Sequence, residues 1–192
     1  MMPSMTIDAD QAIADTRRWV DRAVIGLQLC PFAKAVQVRG QVHYAVHAGD
    51  DLDRLAARLL AEAEALRALP ADVRDTTLLI VPDALHDFYD FHDFSGRCER
   101  LMRRAGHEGE LQLASFHPRF QFAGTDEDDI GNFTNRSPHP VLHLLREASI
   151  DRAVDAFPNA ADIFERNIDT LEALGEGGWA ALDVGAGAGG RP

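Results

Sequence analysis

Thr76-Thr77-Leu78-Leu79-Ile80-Val81 is the stretch that decides the fold, because it is a continuous apolar and β-branched run of strand length. Such a run is typical of a strand that is buried on both faces of its sheet. Leucine and alanine recur at helical spacing through residues 51–69 before it, and Pro82 and Asp83 begin another helical pattern after it. The stretch therefore predicts a buried strand between two helices.

The same alternation continues on both sides. Residues 42–46 alternate between apolar and polar side chains as a half-buried strand does, and residues 111–116 form a third strand. An amphipathic helix that ends before Pro31 precedes them all. Strands that alternate with helices imply parallel pairing through right-handed crossovers. We therefore expect an α/β fold with a small, mostly parallel sheet of three or four strands, flanking helices and a C-terminal helical segment.

The second half of the chain has a different pattern. Residues 117–137 form a long polar loop, and Ser137 followed by Pro138 is typical of a helix start. We expect one helix from there to Ala148, a short one over 149–157 and a last one over 159–174. Residues 1–178 are then predicted to form a single domain, and residues 179–192 a flexible glycine-rich tail.

The net charge indicates which binding partners are disfavoured, and the cysteine content indicates the redox state of the compartment. The formal net charge of −12 argues against nucleic-acid and anionic-membrane partners, which bind basic surfaces. Cys30 and Cys98 are too few for a disulfide framework and fit a reducing compartment. We find neither a secretory signal nor an apolar run of about 20 residues. A cytoplasmic protein is expected; the oligomeric state is not predicted.

The first group of candidate site residues follows the third strand. Ligands of open parallel sheets usually bind at the C-terminal ends of the strands, where His117 lies beside Pro118. A histidine there could act as base, acid or ligand, and Arg119 could bind an anionic group. The alternative is a histidine whose nitrogens are satisfied by loop carbonyls.

The second group is Asn135, Arg136 and Ser137, which lead into the helix expected from Pro138. Free backbone N–H groups and the dipole at a helix N-terminus favour an anion, and Arg136 adds a bidentate donor. The alternative is a well-capped helix whose arginine pairs with an acid of the preceding loop.

The third group lies on the expected helix itself. His139, His143 and Glu147 recur every four residues and would share one face, with Arg146 beside them. A carboxylate one turn from a histidine can orient it for proton transfer. Alternatively, His143 and Glu147 could bind a divalent metal together with His117, or the polar face could simply be solvated.

Several of these segments resemble a known family. Over roughly residues 10–174 the chain resembles an uncharacterised, mainly bacterial family catalogued as domain of unknown function 1415. It rests on residues 29–33 (LCPFA), 114–118 (ASFHP), 121–125 (QFAGT), 135–138 (NRSP) and 142–149 (LHLLREAS). The resemblance implies an intracellular protein with no assigned activity or defined cofactor. Family members often have an aromatic residue at position 139, which favours His143 and Glu147 over His139.

Three functional hypotheses follow. The leading one is a small-molecule enzyme, a hydrolase or transferase, that acts on a phosphate- or carboxylate-bearing substrate through His117, His143, Glu147 and Cys30. Arg119, Asn135, Arg136, Ser137 and Arg146 would bind the anion. The second is a metal-binding protein that uses His117, His143 and Glu147, with Cys30 as a possible fourth ligand. The third is a non-catalytic binding module that uses the 117–137 loop.

Overall fold

The computed structural model describes residues 7–156 and 159–188. The α/β prediction is confirmed: helices flank a single four-stranded sheet, and a long C-terminal helix follows it. The helices are α1 (Ala9–Trp19), α2 (Ala33–Val38), α3 (Leu52–Ala68), α4 (Phe88–Arg104), α5 (Glu147–Ala156) and α6 (Ala160–Ala181). The strands are β1 (Val42–Val46), β2 (Thr76–Ile80), β3 (Leu111–Phe116) and β4 (Val141–Arg146). A π-helix (Val20–Ile25) continues α1, and a 3-10 helix (Ile130–Asn135) lies within the long loop.

The segment after Pro138 is a strand, and the prediction of a helix there is wrong. β4 lies between β2 and β3 and is antiparallel to both, so that the strand order is β1-β2-β4-β3. Val141, Leu142 and Leu144 are fully buried, and a short apolar run of this kind fits a buried strand and a buried helix equally well. Only β1 and β2 pair in parallel, so the expectation of a mostly parallel sheet is also wrong.

Each face of the sheet has its own hydrophobic core. On one face, α3 and α4 pack through Leu55, Leu59 and Phe91 onto Leu79 and Leu142. On the other face, α1 and the π-helix pack through Trp19 and Val20 onto Leu78, Ile80 and Val141. His143 is the cross-strand partner of Leu78, which places its side chain on this second face.

The segment after α6 contacts α1 at Gly187. Gly175 has a φ of 67° and kinks α6 there, after which helical structure resumes up to Ala181. Val184 is buried, and the Gly187 N–H donates to Oδ2 of Asp15 at 3.0 Å. Residues 189–192 lie outside the described part, and the flexible tail over residues 179–192 stays a prediction, as does the single domain over residues 1–178. Over the described residues, the chain has no helix whose length and apolar character would suit a bilayer.

Candidate functional site

His117 lies in the core of the α4 face, and both of its ring nitrogens have protein partners. Nδ1 accepts the backbone N–H of Arg119 at 3.0 Å, so Nε2 carries the proton and donates to the Leu85 carbonyl at 2.9 Å. The ring contacts Phe88 and Phe91 and is fully buried. Burial lowers the pKa of His117. This geometry matches the alternative that the sequence left open, a histidine satisfied within its loop.

The residues expected to bind an anion are engaged within the long loop. Arg136 donates to the carbonyls of Phe120 and Glu127, while Asn135 donates to the Ser115 carbonyl. Ser137 Oγ donates to the carbonyl of His139. Arg119 forms an exposed ion pair with Glu127. Because position 138 begins no helix, the expected helix N-terminus is absent there.

Arg146 and Glu147 lie at the far end of β4. Arg146 donates to the Leu66, Leu69 and Arg74 carbonyls, and so caps the C-terminal end of α3. Glu147 begins α5, and its N–H donates to the Glu110 carbonyl. His117 and His143 lie on opposite faces of the sheet. Across residues 7–156 and 159–188, no three His, Cys, Asp or Glu side chains are placed to hold a metal ion, so the expected His117, His143 and Glu147 set does not assemble.

Cys30 and His143, in contrast, line one pocket on the α1 face of the sheet. The pocket has a cavity volume of about 170 Å³ and lies between the sheet, the π-helix, α2 and α5. Cys30 lies in the turn that joins the π-helix to α2, whereas His143 comes from the middle of β4. Two residues that the sequence singled out separately are therefore brought to the same place, which we name the Cys30–His143 pocket.

The walls of the Cys30–His143 pocket are largely apolar. The π-helix supplies Val20 and Val24, and π-helical turns are frequent at functional sites. Besides Cys30 and His143, the polar side chains of the lining are Asp75, Thr76 and Ser149. The apolar ones are Trp19, Val20, Val24, Phe32, Ala33, Val36, Val42, Leu78, Phe116, Leu145, Ile150 and Ala153. None of these lining residues is Arg or Lys.

Hydrogen bonding fixes the tautomer of His143. Thr76 Oγ1 lies 2.6 Å from the Leu144 carbonyl, which can only accept, so the single hydroxyl hydrogen is donated there. Oγ1 also lies 2.6 Å from Nε2 of His143 and must accept from it. His143 therefore carries its proton on Nε2. Its Nδ1 keeps a free lone pair, which has no partner among the described residues.

Burial controls the charge of His143. Desolvation lowers its pKa from 6.5 to about 4, so the imidazole is neutral near neutral pH. A neutral Nδ1 lone pair can accept a hydrogen bond or a proton from a bound molecule. The pocket thus combines a thiol, an imidazole acceptor and apolar walls.

Trp19, Asp75, Thr76 and Ser149 are pocket residues that the sequence reasoning missed. Ser149 Oγ donates to Asp75 Oδ1 at 2.6 Å and links α5 to the start of β2. Thr76 reads in the sequence only as a β-branched strand residue. Ser149 ended one of the stretches that resemble a known family, which is the one signal that could have marked it.

Larger concavities lie elsewhere: one of about 810 Å³ beside the start of α4 is lined by His86, four aspartates and two arginines, and another lies near the C-terminal end of α6. The latter is poorer in titratable side chains. It has a volume of about 480 Å³ and lies along residues 179–188, where Asp183 is its one titratable side chain. The Cys30–His143 pocket is smaller, yet it combines a thiol and an imidazole with largely apolar walls. We therefore take it as the candidate site.

Comparison with known proteins gives a family but no activity. A family model described as "Protein of unknown function (DUF1415)" matches residues 11–181. No curated protein matches the chain, and no solved structure matches it. The chemistry of the site therefore has to be argued from its own geometry.

Proposed function

Because the chain belongs to this family of unknown function, we propose its function from the Cys30–His143 pocket: a small-molecule enzyme of the hydrolase or transferase type. Cys30 is the nucleophile and His143 is the base. The observation that carries the proposal is that a thiol and a neutral imidazole with a free Nδ1 lone pair line the same apolar pocket.

The chemistry that this pair supports is acyl transfer. In the proposed reaction the Cys30 thiol gives its proton to Nδ1 of His143, to which it makes no hydrogen bond in the structure, while sulfur attacks the carbonyl carbon of an ester or thioester. The carbon–oxygen or carbon–sulfur bond to the leaving group breaks, and the imidazolium returns the proton to that group. Water, or the alcohol or thiol of an acceptor molecule, then cleaves the acyl–Cys30 bond. Because burial disfavours the imidazolium, His143 acts as a general base that takes the thiol proton as sulfur attacks, and no standing thiolate–imidazolium pair has to form.

The lining of the pocket favours an uncharged substrate. An anion buried among apolar side chains needs a paired cation, and no described residue of the lining is Arg or Lys. The anionic substrate that the sequence predicts has less support, since Arg136 and Arg146 donate to backbone carbonyls elsewhere. A cytoplasmic location fits the proposal because a nucleophilic thiol must stay reduced. The net charge of −12 continues to argue against a nucleic-acid partner.

A non-catalytic role in binding an apolar molecule is the second candidate. The apolar walls around Cys30 favour it, since they would bind such a molecule without any reaction. Under this alternative the protein binds apolar compounds but forms no covalent adduct.

Hydrolysis of p-nitrophenyl butyrate tests the enzyme proposal. We expect p-nitrophenolate release together with a butyryl adduct on Cys30 in intact-mass spectra. Cys30→Ser should abolish both signals. Cys98→Ala is the matched control, because Cys98 is fully buried in the α4 core and its thiol pKa is raised to about 12 by burial. Equal turnover by the Cys30→Ser variant, or an adduct on another residue, would contradict the proposal.

A further inference from the structure

Trp19 also lines the Cys30–His143 pocket, and it too has an unpaired nitrogen. Its side chain is 2% exposed, and its Nε1–H has no hydrogen-bond partner among the described residues. Burying such a donor without a partner is unfavourable. A bound molecule that supplies an acceptor would remove this penalty.

The two unpaired nitrogens have complementary roles. Trp19 Nε1 can only donate, whereas Nδ1 of His143 can only accept in the tautomer that Thr76 fixes. The Phe116 ring contacts both side chains, with centroid distances of 5.0 Å to Trp19 and 5.8 Å to His143. Two lining residues that contact Phe116 therefore have unpaired nitrogens, a donor on Trp19 and an acceptor on His143.

We propose that Trp19 Nε1–H binds the carbonyl oxygen of the substrate, and that the substrate class is an uncharged carbonyl compound with a compact apolar group of about six carbons. This inference rests on the proposed function, because it assigns the substrate of the same pocket. A hydrogen bond from Trp19 holds the carbonyl oxygen and polarises the carbonyl carbon that the Cys30 thiol attacks.

The size of the apolar group follows from the cavity. Its volume is about 170 Å³, and an apolar protein cavity of about 150 Å³ accommodates benzene. The enclosed part of the substrate is therefore a six-membered ring or a short branched chain. A long acyl chain would have to leave the pocket for most of its length.

Charge selection follows from the same lining. Asp75 is the one carboxylate among the lining residues and accepts a hydrogen bond from Ser149. It would repel an anion at the pocket, and burial keeps His143 from supplying a positive charge. The uncharged carbonyl compound is thus favoured over a carboxylate or phosphate.

The test uses full-length Cys30→Ser protein, which separates binding from reaction. The probes are cyclohexanone, its isostere methylenecyclohexane, which lacks the oxygen acceptor, and cyclopentanecarboxylate, an anion of similar size. Binding is followed by titration and by the two indole N–H resonances in NMR spectra. Trp179 is the internal control because it packs against Phe133, away from the pocket lining.

We expect cyclohexanone to move the Trp19 indole proton downfield without moving that of Trp179. One hydrogen bond should make it bind roughly fivefold more tightly than methylenecyclohexane. In a Cys30→Ser, Trp19→Phe double variant this preference should disappear. If the double variant does not fold, the indole shift in the single variant still decides.

Equal affinity for the two isosteres, an unmoved Trp19 resonance, or equal affinity for the anion would overturn the inference. Its failure is distinguishable from failure of the enzyme proposal. Ketone binding at Trp19 without ester turnover refutes only the enzyme proposal. Turnover through Cys30 without a Trp19 shift refutes only the assignment of Trp19 and its substrate class.

Discussion

Nε2 of His143 donates to Oγ1 of Thr76 across 2.6 Å, and this bond links the base of the pocket to the first residue of β2. The same hydroxyl donates to the Leu144 carbonyl, so a single threonine both satisfies one ring nitrogen and leaves the other as an acceptor. The chemistry proposed for His143 therefore depends on a residue that contributes no charge.

Replacing Thr76 by valine tests this dependence. The change removes the acceptor of Nε2–H, and the imidazole either buries an unpaired donor or moves its proton to Nδ1, where it can no longer act as a base. We expect the free energy of unfolding to fall by about 1–3 kcal/mol, and kcat for p-nitrophenyl butyrate to fall while KM changes little. Urea titration and steady-state kinetics measure the two effects.

Thr77→Val is the matched control for this prediction. Thr77 is the next residue of β2 and is 0% exposed, and its hydroxyl has no partner among the described residues. Removing an unpaired buried hydroxyl should leave stability unchanged or raise it. If both valine variants behave alike, the Thr76–His143 bond has no special role.

The lowered pKa of His143 predicts an acid-dependent loss of stability. Its pKa is 6.5 in the unfolded chain and about 4 in the fold, so between these values the unfolded state binds more protons. The stabilisation is complete above pH 6.5 and is lost as the pH falls towards 4. The shift corresponds to about 3 kcal/mol. Urea titrations across this pH range should show the decline.

His143→Phe should flatten that decline, because phenylalanine does not titrate. His92→Phe is the control, since His92 is exposed on α4. Burial also lowers the pKa of His117, so part of the slope should persist in the His143→Phe variant. A slope that is identical in all three proteins would exclude His143 as a source of the acid sensitivity.

The sequence predicted the elements before residue 117 better than those after it. Apolar alternation located β1, β2 and β3 because each strand is bounded by helices with distinct spacing. Ser137-Pro138 and the apolar residues between 141 and 148 predict a helix where β4 lies, because both features fit a helix start and its buried side, while strand geometry depends on partners elsewhere in the chain. The same error placed Glu147 beside His143.

The candidate site was predictable in its residue types but not in its assembly. Cys30 and His143 both stood out in the sequence, yet their convergence requires β4 to lie antiparallel to β2 with His143 on the α1 face. His117 stood out equally, but its two nitrogens are satisfied by Leu85 and Arg119. Only tertiary contacts distinguish a free imidazole from a satisfied one.

Arg146 should contribute to stability and not to ligand binding. Its guanidinium donates to the carbonyls of Leu66, Leu69 and Arg74 at 2.5–2.8 Å. In Arg146→Met these three carbonyls lose that donor. We expect a loss of about 3 kcal/mol in the free energy of unfolding, measured by urea titration. Cyclohexanone affinity should be unchanged at a temperature where the variant is folded. If the folded variant binds cyclohexanone more weakly, Arg146 does contribute to ligand binding and the prediction is wrong.

Arg119→Met is the matched control for that prediction. Arg119 forms an ion pair with Glu127 in which both side chains are exposed. Exposed ion pairs contribute little to stability, so the melting temperature should stay close to that of the unaltered protein. The contrast between the two arginines separates a buried cap from a surface contact.

Asp15 should hold the C-terminal residues against α1. Its Oδ2 faces Nε2 of His139 and the N–H of Gly187, each at 3.0 Å, and the side chain is 0% exposed. Burial raises the pKa of Asp15, but hydrogen bonds, chiefly those from Gly187 and His139, together lower it below its usual value. The carboxylate therefore stays charged, and Arg18 pairs with its other oxygen at 2.6 Å.

Asp15→Asn removes this charge and replaces one carboxylate oxygen by an NH2 group. That group can only donate, and it faces the donors that the oxygen accepts from in the unaltered protein. We expect a loss of about 3–5 kcal/mol, as when one partner of a buried ion pair is removed. Hydrogen–deuterium exchange should quicken at Gly187 before it does in the sheet, because the contact of the C-terminal residues with α1 is local. Asp183→Asn, at an exposed carboxylate that pairs with Arg22 at 3.5 Å, should change neither measurement. Unchanged exchange at Gly187 in Asp15→Asn would mean that Val184 and its apolar neighbours alone hold residues 182–188 in place.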